Sequence, residues 1–230
     1  MNLKPSNQTK IYGLEYYLQD FINLDNKKIL PNKILLSGSK GIGKSTLAYH
    51  LVNYSLSKND DYSYDVKNFQ INSNNRDFKL INNYCNPNFN LIDIKNDKKN
   101  IDITQIRELI ERLNKSSLNS KPRFVLIDNI EFLNTNSINA LLKTLEEPND
   151  NIYFILINND KKVLSTLTSR CLLFKISLSH KQSKKIITHL MKDDLSNFIN
   201  DDLLGYYFTP GKVLNLISFA EKFEINLKNL

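Results

Sequence analysis

Gly38-Ser39-Lys40-Gly41-Ile42-Gly43-Lys44-Ser45-Thr46 fits the pattern G-x-x-x-x-G-K-S/T without a mismatch. Before it, Asn32-Lys33-Ile34-Leu35-Leu36-Ser37 reads as a short apolar strand, and after it Leu47 to Val52 reads as the start of a helix. A strand feeding a glycine-rich turn at a helix N-terminus is the setting this motif needs. The glycines let the backbone bend around a phosphate with no side chain in the way. Successive N–H groups then point inward, and the positive end of the helix dipole adds to them. In this reading Lys44 reaches the β- and γ-phosphates of a nucleotide, and the Ser45 hydroxyl ligates Mg²⁺. A glycine- and lysine-rich surface turn is the plainer alternative, but it does not explain why strand, loop and helix agree.

Working outward, Ile11, Leu14, Leu18, Phe21 and Ile22 recur at helical spacing and predict an amphipathic helix over 11–24. Val66 to Ile71 reads as a strand, and 78–84 as a short helix. Asn90 to Ile94 is a strand, and Thr104 caps a helix with Ile106, Leu109 and Leu113 on one face. Phe124-Val125-Leu126-Ile127 is a continuous apolar run, as in a strand buried on both faces, and it ends at Asp128. A helix over 136–147 is stopped by Pro148. A further buried strand over 152–157 ends at Asn158-Asn159, a short helix spans 163–167, and a last strand spans 171–176. Beyond Ser177 only helices are predicted, over 181–191, 195–204 and 212–223. Alternating strands and helices predict a parallel α/β sheet, so the chain divides into a domain over 1–177 and a small helical domain over 178–230.

Composition narrows the class. The 230 residues are 41% hydrophobic, enough to bury a core. No apolar run approaches the ~20 residues of a membrane span. Met1 to Lys10 is polar and lacks the apolar segment of a signal peptide. Cys85 and Cys171 lie far apart, which argues against a disulfide framework and against a cysteine zinc site. These features predict a cytoplasmic protein. The net charge of +7 weakly favours an acidic partner such as nucleic acid, although lysine-rich composition from AT-rich coding would also produce it.

A P-loop NTPase places a second acid at the end of a neighbouring strand to hold Mg²⁺, and Asp128 is the candidate. The residues after it are more specific. Ile138-Asn139-Ala140-Leu141-Leu142-Lys143-Thr144-Leu145-Glu146-Glu147-Pro148 and Ser169-Arg170-Cys171 together resemble the AAA+ module of bacterial clamp loaders. The pattern is most similar to the delta-prime type of DNA polymerase III clamp-loader subunit. The resemblance covers about residues 10–177 well and 178–225 loosely. It implies a P-loop NTPase AAA+ sheet flanked by helices, followed by a small all-helical lid domain. It also implies that ATP is bound between adjacent subunits of a ring, which opens a sliding clamp and places it on primer–template DNA. Expected partners are therefore other clamp-loader subunits, the sliding clamp, and DNA through the assembly.

Residue by residue, the resemblance makes Gly38, Ser39, Lys40, Gly41, Ile42, Gly43, Lys44, Ser45 and Thr46 the phosphate loop and Asp128 the Mg²⁺ acid. Asn158 takes the place of a first sensor of the γ-phosphate, with Asn159 the fallback. Arg170 matches an arginine finger that acts on ATP in a neighbouring subunit; taken alone it would be a surface ion-pair residue. Pro210-Gly211-Lys212 falls where a second sensor stands, with lysine in place of the usual arginine. The acid is normally followed by a glutamate that polarises the attacking water, and here that position is Asn129, which cannot take a proton. Glu131 would point away if the segment stayed extended. ATP binding with little or no hydrolysis is the expectation. Glu146 and Glu147 either face a neighbouring subunit or are solvated.

Many relatives carry a four-cysteine zinc module between the phosphate loop and the acid; with Cys85 alone there, no zinc is expected. The family's third, collar domain is not in this stretch, which stops at Leu230; either the sequence is a truncated version or the protein lacks that domain. His50, His180 and His189 receive no role. Three alternatives stand beside this reading. A gamma/tau-type motor subunit is disfavoured by Asn129, and a structural ring member with a vestigial phosphate loop by the intact Lys44-Ser45 pair. A small-molecule kinase would need an arginine lid that the sequence lacks.

Overall fold

Five short apolar segments form one parallel sheet. A computed structural model describes residues 3–95, 98–117, 119–146, 151–206 and 209–228. After a short 3₁₀ turn at Pro5–Asn7 come α1 (Glu15–Asn26), β1 (Lys33–Ser37), α2 (Lys44–Ser57), α3 (Arg76–Asn82), β2 (Phe89–Ile92) and α4 (Ile103–Leu113). There follow β3 (Arg123–Ile127), a 3₁₀ turn (Ile130–Phe132), α5 (Thr135–Glu146), β4 (Ile152–Asn158), α6 (Ser165–Thr168) and β5 (Leu172–Lys175). Helices α7 (His180–Met191), α8 (Asp201–Tyr206) and α9 (Pro210–Lys222) complete the chain, with a 3₁₀ turn at Leu195–Asn197.

The strand order is β2-β3-β4-β1-β5, and every pairing is parallel. Parallel neighbours need crossovers, and the helices between strands supply them. Side chains alternate across the sheet. Phe124 and Leu126 join one core with Leu18, Phe21 and Leu51. Val125 and Ile127 join the other with Leu109, Leu141 and Phe154. Both faces are thus covered, which is why β3 and β4 read as unbroken apolar runs. A third cluster, built on Ile187, Leu195, Val213 and Ile217, holds the C-terminal helices together.

Several expectations are corrected. The strand carrying Asp128 is not beside β1, because β4 lies between them. No strand forms over 66–71; an isolated bridge between Asp65 and Gln70 closes a turn, with Phe69 at a positive φ of 50°. Helix α1 starts at Glu15 rather than 11, since Gly13 takes φ 75° and breaks the path. Asp102, not Thr104, caps α4, in a capping box with Gln105. The helix predicted over 195–204 is split into the 3₁₀ turn and α8. Glu147 and Pro148, the predicted end of α5, lie outside the described residues. Among the described residues, no helix is long and apolar enough to cross a membrane.

Candidate nucleotide-binding site

The carboxyl ends of parallel strands all open on one side, so the loops after β1, β2, β3 and β4 converge there. After β1 the chain turns through Gly41 (φ 90°) and Gly43 (φ 96°), a backbone that β-carbons disfavour. Gly43 is the N-cap of α2 and no side chain caps it. The first N–H groups of that helix therefore face the cleft uncapped, which is the arrangement that accepts a phosphate.

Lys44 is buried beneath this loop. Its ammonium donates to Gly38 O at 2.6 Å, to Ser39 O at 2.9 Å and to Asn159 Oδ1 at 3.0 Å. Burial pulls its pKa down from 10.5 to about 8, against the opposing pull of Asp128, Asp160 and Glu131. The Ser45 hydroxyl donates to Asp128 Oδ2, so the two expected Mg²⁺ ligands meet although their strands are not neighbours. Asp128 also accepts the Asn129 N–H at 2.8 Å. Burial raises its pKa, and the nearby Asp93 adds to the rise, while the Ser45 and Asn129 hydrogen bonds oppose it. A half-desolvated carboxylate beside a hydroxyl fits Mg²⁺, which takes one or two protein oxygens and fills its shell with phosphate and water.

The two asparagines after β4 divide their tasks. Asn158 turns aside: its amide donates to Lys161 O at 2.9 Å and accepts from Lys161 N at 3.3 Å. Asn159 is the one that reaches Lys44. Its Nδ2 donates to Asn129 Oδ1 at 2.9 Å and to Glu131 Oε1 at 3.0 Å. Two acceptors on one side and an ammonium on the other fix which way this amide faces.

Glu131 does not point away. Asn129 adopts a left-handed conformation (φ 58°, ψ 46°), and residues 130–132 curl into a 3₁₀ turn instead of staying extended. That bend carries the Glu131 carboxylate back to the Asn159 side chain, and its Oε2 also accepts the Asn159 N–H at 3.4 Å. Asp93 was missed in the sequence. It follows β2 and accepts from Asn129 Nδ2 at 2.8 Å. Its signal was its place, an acid at the carboxyl end of a strand paired with β3.

The loop forms one wall of a cavity of about 360 Å³, and Ile11, Tyr12, Ile186, Leu190 and Leu214 give it an apolar side. Lys212 lines it too. The helical segment touches the loop directly: Thr209 Oγ1 donates to Lys40 O at 2.7 Å, and Gly211 N donates to Gly41 O at 2.8 Å.

Arg170 is not part of this cleft. It precedes β5, at the amino end of the sheet, while the phosphate loop follows β1 at the carboxyl end. Its Nε donates to Glu146 Oε1 at 3.1 Å, Nη2 pairs with the same oxygen, and Nη1 donates to Thr166 O at 2.7 Å. Cys171 beside it is half-buried, with its thiol pushed up to about 11, and Cys85 is exposed; both are free. His50, behind the loop on α2, is buried against Tyr64 Oη at 2.7 Å, and burial lowers its pKa to about 4.

Residues 14–180 match the model of the family described as DNA polymerase III, delta subunit. Among curated proteins, the chain is 31% identical to DNA polymerase III subunit gamma of Buchnera aphidicola subsp. Schizaphis graminum, over 98% of this chain and 62% of that protein. It is 30% identical to subunit delta' of Buchnera aphidicola subsp. Baizongia pistaciae, over 86% of this chain and 65% of that protein. The chain thus spans a little over half of the length of the curated relatives it matches. Among solved structures, a DNA polymerase III gamma subunit-related protein of Thermotoga maritima aligns with TM-score 0.51 at 18% identity, over 92% of this chain and 60% of that one. The RuvB Holliday junction branch migration motor of the same organism aligns with TM-score 0.53 at 15% identity, over 97% and 69%. At such identities these structures speak to the fold alone, which is that of AAA+ P-loop proteins. Gamma and delta' relatives both match, the gamma relative over more of this chain, and the family model covers most of the chain: the chain belongs to the DNA polymerase III, delta subunit family of clamp-loader proteins.

Proposed function

We propose that this chain is an ATP-holding, delta-prime-like subunit of a DNA polymerase III clamp loader, working in the cytoplasm. The observation that carries the nucleotide reading is the convergence of Lys44, Ser45 and Asp128 under an uncapped helix N-terminus. Lys44 would meet the terminal phosphates, the N–H groups of the loop the remaining phosphate oxygens, and Ser45 with Asp128 the Mg²⁺. The apolar side of the cavity suits the base, with Lys212 near the phosphates. Asn159, rather than Asn158, would sense the γ-phosphate, because its carbonyl already faces Lys44.

The sheet separates Arg170 from Lys44 by the length of β5, roughly 13 Å for four residues. Arg170 therefore cannot serve the chain's own nucleotide and would act on a neighbour's. Its guanidinium, always charged and flat, suits a spreading γ-phosphate charge. Asn129 removes the usual base, so any hydrolysis in this subunit would be slow. The expected partners are other clamp-loader subunits, with the sliding clamp and primer–template DNA reached through the assembly. Calorimetry of Mg²⁺–ATP binding to the wild type and Lys44→Ala tests the reading; loss of binding in the variant is expected. A second reading, a gamma/tau-type motor subunit, is favoured by a gamma relative that matches over 98% of this chain, against 86% for the delta' relative. Fast turnover would select it.

A further inference from the structure

We propose that Glu131 faces the γ-phosphate and is the carboxylate that accepts the proton of the attacking water in this subunit. The inference rests on the nucleotide reading of the cleft and adds an activity to it. Its starting point is the bend at Asn129. The left-handed turn and the 3₁₀ segment after it swing Glu131 round the end of β3, so that both of its oxygens lie against Asn159. Asn159 in turn touches the Lys44 ammonium at 3.0 Å. One asparagine side chain therefore separates the Glu131 carboxylate from the cation that meets the terminal phosphate, and Lys44 feels its charge.

The rest of the network explains why the base is not at position 129. Asn129 Nδ2 donates to Asp93, and Asn129 Oδ1 accepts from Asn159. A glutamate there would set its charge against Asp93 and could not donate to it. An amide can serve both neighbours. Glu131 uses two of its roughly four acceptor positions on Asn159, and the others are left for a water.

A lone pair of the water oxygen forms a bond to the γ-phosphorus while the bond from that phosphorus to the β,γ-bridging oxygen breaks, and the bridging oxygen keeps the electron pair. The water proton passes to the Glu131 carboxylate and from there to solvent. General-base assistance of this kind contributes about 10²- to 10⁴-fold to rate.

Glu131→Gln is the informative variant, since its amide oxygen can still accept from Asn159 but cannot take a proton. Two readouts are needed, both on the full chain at pH 7. The first is single-turnover cleavage of Mg²⁺–ATP with protein in excess, beside Lys44→Ala as background. The second is affinity for Mg²⁺–ATP and Mg²⁺–ADP, which does not depend on turnover. We expect slow cleavage by the wild type above that background, reduced tenfold or more in Glu131→Gln. We also expect ATP to bind the variant at least about threefold more tightly with ADP unchanged, because a negative charge facing the γ-phosphate is gone. Wild-type cleavage no greater than background, an unchanged rate in Glu131→Gln, or an unchanged preference between ATP and ADP would overturn the proposal. Absence of any ATP binding by the wild type would instead overturn the nucleotide reading beneath it.

Discussion

Gly211 donates its backbone N–H to the carbonyl of Gly41 at 2.8 Å, joining the first turn of α9 to the phosphate loop. A β-carbon on Gly211 would lie 2.9 Å from both Cα and O of Gly41, and backbone on both sides cannot yield cheaply. Gly211→Ala should therefore part the helical segment from the loop, at about 1–3 kcal/mol, and lower ATP affinity together with the melting temperature. Gly205→Ala is the control, since nothing lies within 4 Å of its would-be β-carbon. It should leave affinity unchanged and stabilise α8 by up to about 1 kcal/mol. Equal effects of the two variants would refute the contact's importance.

Lys44 loses its proton near pH 8 instead of 10.5 when the cleft holds no phosphate. Phosphate binding favours the ammonium, so binding should draw protons in. ATP affinity should be flat below about pH 7 and fall as pH rises through 8, approaching tenfold per unit well above it. Calorimetry in two buffers of different ionisation enthalpy, at about pH 8.5, should register proton uptake. Lys44→Arg stays charged and should bind with no such pH dependence, whatever its absolute affinity.

Asp128 has its pKa raised by burial, so its charge is a cost to the fold in the absence of metal. For a raised carboxylate the cost is absent below the ordinary value of 3.8 and complete above the folded value. Asp128→Asn should then raise the melting temperature of the nucleotide-free protein at neutral pH, an advantage that disappears as pH falls towards 4. The same variant should lose Mg²⁺-dependent ATP binding. A less stable variant at pH 7 would show that the Ser45 contact outweighs desolvation.

Arg170 lies on an exposed ion pair with Glu146. Such pairs contribute at most about 1 kcal/mol, so Arg170→Ala should barely change the melting temperature and should leave this chain's own ATP affinity intact. Mixed with a gamma-type partner, the variant should slow the partner's hydrolysis by about 10³-fold if the guanidinium serves as a finger in trans. An unaffected partner would return Arg170 to a surface role.

How much of this was legible in the sequence differs by element. The phosphate loop could be read residue by residue because its chemistry is local: glycine turn, lysine, hydroxyl, helix. β3 and β4 were visible as apolar runs, since both faces are buried. The order of strands was not, because nothing local to Asp128 says that β4 is inserted beside β1. Asn129 looked decisive for hydrolysis, yet its left-handed backbone is what brings Glu131 back, and a single asparagine in an extended reading gives no sign of that bend. Asn158 and Asn159 are adjacent and chemically identical, so only the direction of each side chain separates them. The capping of α4 by Asp102 was a near miss, one turn signal competing with another two residues on.

The most direct measurement is the calorimetric titration of Mg²⁺–ATP into the wild-type chain and into Lys44→Ala, repeated with the metal chelated. Saturable one-to-one binding by the wild type is expected, lost in the variant and weakened without Mg²⁺. Binding that survives Lys44→Ala, or none in the wild type, would contradict it and make the convergence of Lys44, Ser45 and Asp128 a structural relic.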